Sequence, residues 1–260
     1  MVSRLYEAYF CARSLWPHRS VPRPFAVVSQ ARSGSQLLRG LLNQHPQLWC
    51  EGEVMLRFVQ TRWPRMLFPA AYLEGLASRC GLRVYGCLLR QSQLWRCCPD
   101  SQSFPSELAR RGWQLIHLQR GNRVRLALSF LRAEALQRWH LERGRGAVAE
   151  RPYISPRSLL DYLRWTDQAR TFENEAMSRV AALKLFYEQD LQPQQPQQRH
   201  QATADRVFEF LGLPSAPVQA PLRRTGEGPI SELVSNWQQL VEVLRDTSYA
   251  QELSDLWTSP

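Results

Sequence analysis

A chain of 260 residues, 44% hydrophobic and 22% charged, is long enough and apolar enough to bury a sizeable core. Its net charge of +10 favours anionic partners such as nucleotides, sulfated or phosphorylated groups, nucleic acid or lipid headgroups. No apolar run approaches the ~20 residues that span a bilayer, no basic block forms a nucleic-acid-binding tail, and the charges in Met1–Ser20 argue against a secretory signal. The expected location is cytoplasmic. The six cysteines include no Cys-x-x-Cys pair and no accompanying histidine cluster, so reduced structural thiols are expected and no metal site.

The first informative stretch is Phe25 to Leu38, a short buried strand, a tight polar loop and the start of a helix. Amides at such a helix start are unpaired and the helix dipole adds positive potential, so the turn is a candidate phosphate site. Arg32 supplies mobile charge, Gly34 allows close backbone approach, and Ser35 caps the helix or binds oxygen. The spacing of Leu37, Leu38, Leu41 and Leu42 predicts a helix from Ser35 to Asn43. Trp49–Gly52 reads as a strand or turn, Pro69–Arg79 as a helix closed by Gly81, and Arg83–Leu89 as a strand.

A short helix opens at Ser103, and Trp113–Leu118 reads as a buried strand that delivers Arg120 to its carboxyl end. A long helix is predicted from Asn122 to about Arg143. Arg125, Ser129 and Arg132 share one of its faces, and Leu126, Phe130 and Ala133 the neighbouring buried one. Arg120 with Ser129 could grip a second phosphate; in isolation a basic amphipathic helix with a solvated polar face explains them as well. Glycine-bearing residues 144–154 read as a flexible loop, Ser155–Arg179 as a helix and Val180–Tyr187 as a strand. Gln189–Gln201 reads as an exposed Gln/Pro-rich loop and Thr203–Leu211 as a short helix. Helices near Ser231–Arg245 and Tyr249–Leu256 finish the chain. Strands alternating with helices indicate an α/β fold with a mostly parallel sheet, and the first loop then opens at its carboxyl edge.

Together the two segments resemble the nucleotide-binding signatures of sulfotransferases that use 3′-phosphoadenosine 5′-phosphosulfate (PAPS), most similarly the bacterial carbohydrate enzymes of the trehalose and nodulation types. The loop Arg32-Ser33-Gly34-Ser35-Gln36-Leu37 matches the family's Arg/Lys-Ser-Gly-Ser/Thr-x-Leu, which holds the 5′-phosphosulfate. Arg120 and Ser129 match its 3′-phosphate pair. His45-Pro46 with Gly52-Glu53, Tyr187-Glu188 before Asp190-Leu191, and Ser231–Asn236 resemble further family elements. Departures are Gln36, where the family often has Thr, and Leu88, where relatives frequently carry Lys. Ala133–Trp139 departs too, in a region that faces substrate in the family.

The resemblance implies one P-loop-like three-layer domain over residues 1–260, with 1–23 as an N-terminal extension and 189–201 as a loop. It implies PAPS as co-substrate, no metal, and a carbohydrate or glycolipid acceptor. Arg32 and Glu53 become the candidate catalytic residues. Arg32 would stabilise charge on the departing nucleotide, and Glu53 would take the acceptor proton. Glu51 is expected to face away from Glu53 and is the natural control. His45 reads as a turn or packing residue and His117 as a satisfied core histidine. Trp139 and His140 could line an acceptor pocket, and Arg223 and Arg224 could reach the 3′-phosphate or form a solvated basic pair.

Two rival readings remain open. A P-loop kinase or NTPase needs a Gly-x-x-x-x-Gly-Lys-Ser/Thr loop, and this loop has no lysine and a single glycine. A non-catalytic protein binding nucleic acid or an anionic glycan fits the charge, but no nucleic-acid module and no aromatic ladder is visible in the sequence. Nucleic acid is therefore not an expected partner. The charge also permits peripheral contact with a membrane surface, and oligomeric state is left open.

Overall fold

The computed structural model describes residues 2–15, 23–61, 65–137, 150–192, 196–219 and 230–253. Five strands, β1 (Arg23–Ser29), β2 (Leu48–Glu53), β3 (Val84–Arg90), β4 (Gln114–Gln119) and β5 (Ala182–Phe186), form one sheet in the order β2-β3-β1-β4-β5. Every pairing among the described strands is parallel. β1 therefore sits at the centre, between β3 and β4. Chain order reverses there, and in an open parallel sheet the crevice outside that point is where ligands bind.

Both faces of β1 are buried, as its unbroken apolar run requires. Ala26 and Val28 pack on one side with residues of α4 (Pro69–Ala77), α5 (Gln91–Cys97) and α6 (Phe104–Arg110). Phe25 and Val27 pack on the other with Leu38, Leu41 and Leu42 of α2 (Ser35–Leu42) and with α9 (Pro196–Phe210). Each leucine fully buried in this way contributes ~1.5–3 kcal/mol. A third cluster joins α7 (Arg123–Ala135), α8 (Pro156–Met177) and α10 (Trp237–Arg245) beside the sheet. The result is the helix–sheet–helix α/β arrangement expected. Among the described residues no helix is long and apolar enough to cross a membrane.

Residues 2–14, to which the sequence assigned no element, form a helix, α1 (Val2–Ser14), whose Phe10 packs into the core against α4; a Cβ on Gly75 would meet the Phe10 carbonyl oxygen at 1.9 Å. Several expectations need correction. α7 stops at Ala135, with Gln137 at φ 50°, well short of Arg143. The Gln/Pro-rich stretch is not a loop throughout: a π-turn covers Tyr187–Leu191 and α9 starts at Pro196. Low-complexity composition misled because its few anchoring groups are buried. Asp190 accepts from the Phe186 amide at 2.6 Å and from Arg206, and His200 Nε2 donates to the Leu191 carbonyl at 2.9 Å. A short helix α3 (Leu56–Val59) and α5 carried no signal that the pattern resolved.

Glu51 and Glu53 do face different surroundings, but not by strand alternation, which puts residues two apart on the same face. Glu51 pairs with Cys87 and Glu53 with Leu88, so two steps on β2 match one step on β3. The irregularity at Gly52 turns the two carboxylates apart. Glu51 binds Tyr85 Oη at 2.8 Å and Arg79 at 3.2 Å, away from the β1–α2 turn.

Candidate active site

Between β1 and α2 the backbone makes two left-handed steps, Arg32 at φ 65° and Gly34 at φ 93°. Glycine is required at the second: a Cβ there would lie 2.6 Å from the Tyr187 ring. Ser33 Oγ donates to the Gln30 carbonyl at 2.9 Å and pins the turn. Gly34 is the N-cap, with no side-chain cap hydrogen bond, so Ser35, the first helical residue, does not serve as the expected cap. The dipole of α2 adds positive potential at this turn. Gln36 points toward β2, whereas Leu37 packs on the core and offers the site only its backbone.

Arg32 is not a mobile charge. Its Nε donates to Ser129 Oγ on α7 at 3.0 Å. Arg120, at the end of β4, donates Nη1 to the Arg32 carbonyl at 3.1 Å and lies 4.6 Å from the Tyr187 ring centroid. The two signature segments thus meet at one sheet edge. Burial, then the positive charges of Arg120 and Arg90, pull Arg32 down to about 10 from the usual arginine range. A polyanion among these guanidinium groups would reverse that effect.

Glu53 stands beside this cradle. Its carboxylate forms an ion pair with Arg90, at the end of β3, and accepts from Gln93 Nε2 at 2.8 Å and Gln36 Nε2 at 3.4 Å. Arg39 Nη1 donates to Gln36 Oε1 at 3.1 Å, so the amide that departs from the family's usual Thr is oriented to link α2 with Glu53. Arg90 keeps a buried Nε–H without a hydrogen-bond partner.

The turn between β4 and α7 is built differently. Asn122 Oδ1 accepts from the Arg125 amide at 2.7 Å, and Glu252 accepts from the amides of Arg123 and Val124. Glu188 accepts from the amides of Gly121 at 2.8 Å and Asn122 at 3.2 Å. Arg170 of α8 donates to the carbonyls of Arg120 and Gly121 from the opposite side. Protein groups fill this helix start, so Arg120 and Ser129 can offer a ligand only their side chains. Arg125 and Arg132 are buried, which overturns a solvated basic face; Arg132 donates to the Leu233 carbonyl at 3.2 Å.

His45 and His117 fall as expected. His45 accepts from the Gln47 amide on Nδ1 at 3.1 Å, so its Nε2–H donates to the Pro214 carbonyl at 3.1 Å, and its ring packs on Phe208. His117 Nε2 meets Glu173 Oε1 at 2.6 Å inside the core. Trp139, His140, Arg223 and Arg224 lie outside the described residues. Arg90, Gln93, Arg170 and Glu252 were not singled out from the sequence. Arg90 carried a usable signal, an arginine closing a buried strand as Arg120 does; the other three are brought in by helices whose packing the sequence does not display.

No family model matches the chain. It is 26% identical over 246 residues to Nodulation protein H of Rhizobium meliloti, covering 88% of this chain and 94% of that protein. Nodulation protein H of Rhizobium tropici is 28% identical over 128 residues, 45% of this chain and 49% of that protein. Among solved structures, a sulfotransferase from Alicyclobacillus acidocaldarius is 14% identical with a TM-score of 0.49, covering 89% of this chain and 95% of that one. The sulfotransferase domain of the Synechococcus PCC 7002 olefin synthase is 15% identical with a TM-score of 0.44, covering 94% and 90%. The chain thus joins the two segments that resemble sulfotransferase signatures at one sheet edge, and it is similar to Nodulation protein H along most of its length.

Proposed function

We propose that the chain transfers the sulfuryl group of PAPS to a hydroxyl of a carbohydrate or glycolipid acceptor, with Glu53 as general base. One observation carries the reading: Arg32 touches Ser129 at 3.0 Å while Arg120 holds the Arg32 carbonyl, so groups for both ends of the nucleotide converge. The uncapped start of α2, the lowered Arg32 and the unspent Nε–H of Arg90 suit a polyanionic guest.

PAPS, when bound, supplies an activated sulfuryl group on a phosphate leaving group. The amides of residues 33–37 and Arg32 would hold the 5′ end and stabilise charge growing on the leaving oxygen. Arg120 and Ser129 would hold the 3′-phosphate. Glu53 would take the proton from the acceptor hydroxyl, its plane set by Arg90, Gln93 and Gln36. The acceptor assignment is supported by the motif resemblance to the bacterial carbohydrate enzymes. All six cysteines are free thiols, and burial raises Cys50 to about 12 and Cys97 to about 11, which suits a reducing, cytoplasmic setting.

The test is a thermal-shift series with 3′-phosphoadenosine 5′-phosphate (PAP), ATP and AMP, followed by turnover of Glu53→Gln. PAP at 100 times its Kd should stabilise the chain by ~2.7 kcal/mol. The variant should keep that response and lose ~10²–10⁴-fold in turnover. Equal shifts by PAP and AMP would sink the donor reading, and full turnover in the variant would remove Glu53 from the chemistry.

A further inference from the structure

Five aromatic rings that the sequence scatters over three helices form one continuous row. Trp95 of α5 meets Phe172 of α8 at 5.3 Å between centroids and Trp165 of α8 at 6.0 Å, both edge to face. Trp165 meets Tyr162 at 5.3 Å, and Tyr162 stacks on Phe130 of α7 at 4.3 Å with 17° between planes. All five are half-buried, whereas Phe25, Phe58, Phe104 and Tyr85 are sealed in the core.

The row reaches the sheet edge where β1 ends: Gln30 Nε2 donates to the carbonyl of Thr166, the neighbour of Trp165 on α8, at 3.5 Å. Tyr162 Oη is buried, has no hydrogen-bond partner, and feels the charges of Arg90 and Arg32. On α5, two residues before Trp95, Gln93 donates Nε2 to Glu53 while its own Oε1 is buried and unpartnered. A donor–acceptor hydroxyl and an amide oxygen therefore lie unspent on two of the helices that carry the row, and leaving such groups unsatisfied is costly. Outward from them run apolar faces.

We propose that Phe130, Tyr162, Trp165, Phe172 and Trp95 form the acceptor subsite, a platform for the pyranose rings of an oligosaccharide. The C–H face of a pyranose is weakly positive and packs on the negative face of an aromatic ring, while its hydroxyls reach Tyr162 Oη and Gln93 Oε1. A half-open platform with polar groups at one end suits a substrate that is apolar on its faces and polar on its rim; an apolar alcohol calls for an enclosed pocket. The subsite rests on the sulfotransferase reading for its reactive end.

The experiment uses the full chain with maltotetraose, cellotetraose and chitotetraose as probes and 2-naphthol as the apolar comparison. Saturation-transfer NMR should show ring C–H protons of at least one tetrasaccharide in contact with the chain. Trp165→Leu and Trp95→Leu should each weaken that binding about tenfold and leave the PAP thermal shift unchanged. Tyr162→Phe keeps the ring and removes only the hydroxyl, so it should bind sugar several-fold less tightly at an unchanged melting temperature. It therefore reports even where a tryptophan variant fails to fold. No binding of any tetrasaccharide, equal binding by all three variants, or preference for 2-naphthol overturns the subsite. Sugar binding that is lost in the variants of a chain indifferent to PAP supports the subsite and overturns the donor reading instead.

Discussion

Two strand-to-helix turns open at the same edge of the sheet, and their helices begin in opposite states. At β1–α2 the cap is a glycine, no side-chain cap is made among the described residues, and Arg32 lies near the positive charges of Arg120 and Arg90. At β4–α7 the amides of Gly121 through Arg125 are engaged by Glu188, Asn122 and Glu252, and Arg170 holds the carbonyls of Arg120 and Gly121. Both satisfy the same physical requirement, since orphan amides at a helix start need acceptors. At the second turn protein groups meet that requirement, close to Arg120 and Ser129; at the first, no described side chain does. Sequence likeness treats both as phosphate sites, yet the amides of the second are already engaged.

Substitutions at the two turns should separate these roles. Arg32→Ala removes the central cation of the open turn and is expected to lower turnover by ~10²–10³-fold, with PAP binding weakened and the fold intact. Unchanged turnover would show that the backbone amides alone carry the charge. Ser129→Ala takes one hydrogen bond from the 3′ side, so the preference for PAP over AMP should fall about tenfold, read by titration calorimetry. Retained preference would mean that Ser129 serves only to hold Arg32.

Glu252→Gln at the filled turn should act on stability, costing ~0.5–2 kcal/mol in urea unfolding with PAP affinity nearly unchanged. A large loss of affinity without loss of stability would erase the distinction between the turns. The smallest effect is on pH. Arg32 is lowered to about 10 in the free chain, and a bound anion raises it again, so the complex holds more protons. PAP affinity should therefore decline as pH rises through about 10, and that decline should vanish in Arg32→Ala.

Much of this site was legible from local pattern. The turn at Arg32–Ser35 and the strand-end position of Arg120 follow from an apolar run meeting polar residues and a helical repeat, which are properties of neighbours in the chain. The irregularity that separates Glu51 from Glu53 was not legible, because it arises from register with β3 across the sheet. Nor was the start of α9 before Thr203, where composition suggested an exposed loop while Asp190 and His200 anchor it from within. The aromatic row was invisible for the same reason: Trp95, Phe130 and Trp165 have no spacing in common until α5, α7 and α8 pack.

By itself the sequence determined the α/β class, the order of strands and helices along most of the chain, and the two nucleotide signatures. These depend on periodicity and short-range steric preference, which act within a few residues. Only the tertiary structure decided that Arg32 reaches Ser129, that Glu53 is held by Arg90 and Gln93, and that one helix start is open while the other is filled. Those outcomes depend on groups distant in the chain competing for the same donors and acceptors at one sheet edge, and packing alone settles which of them meet.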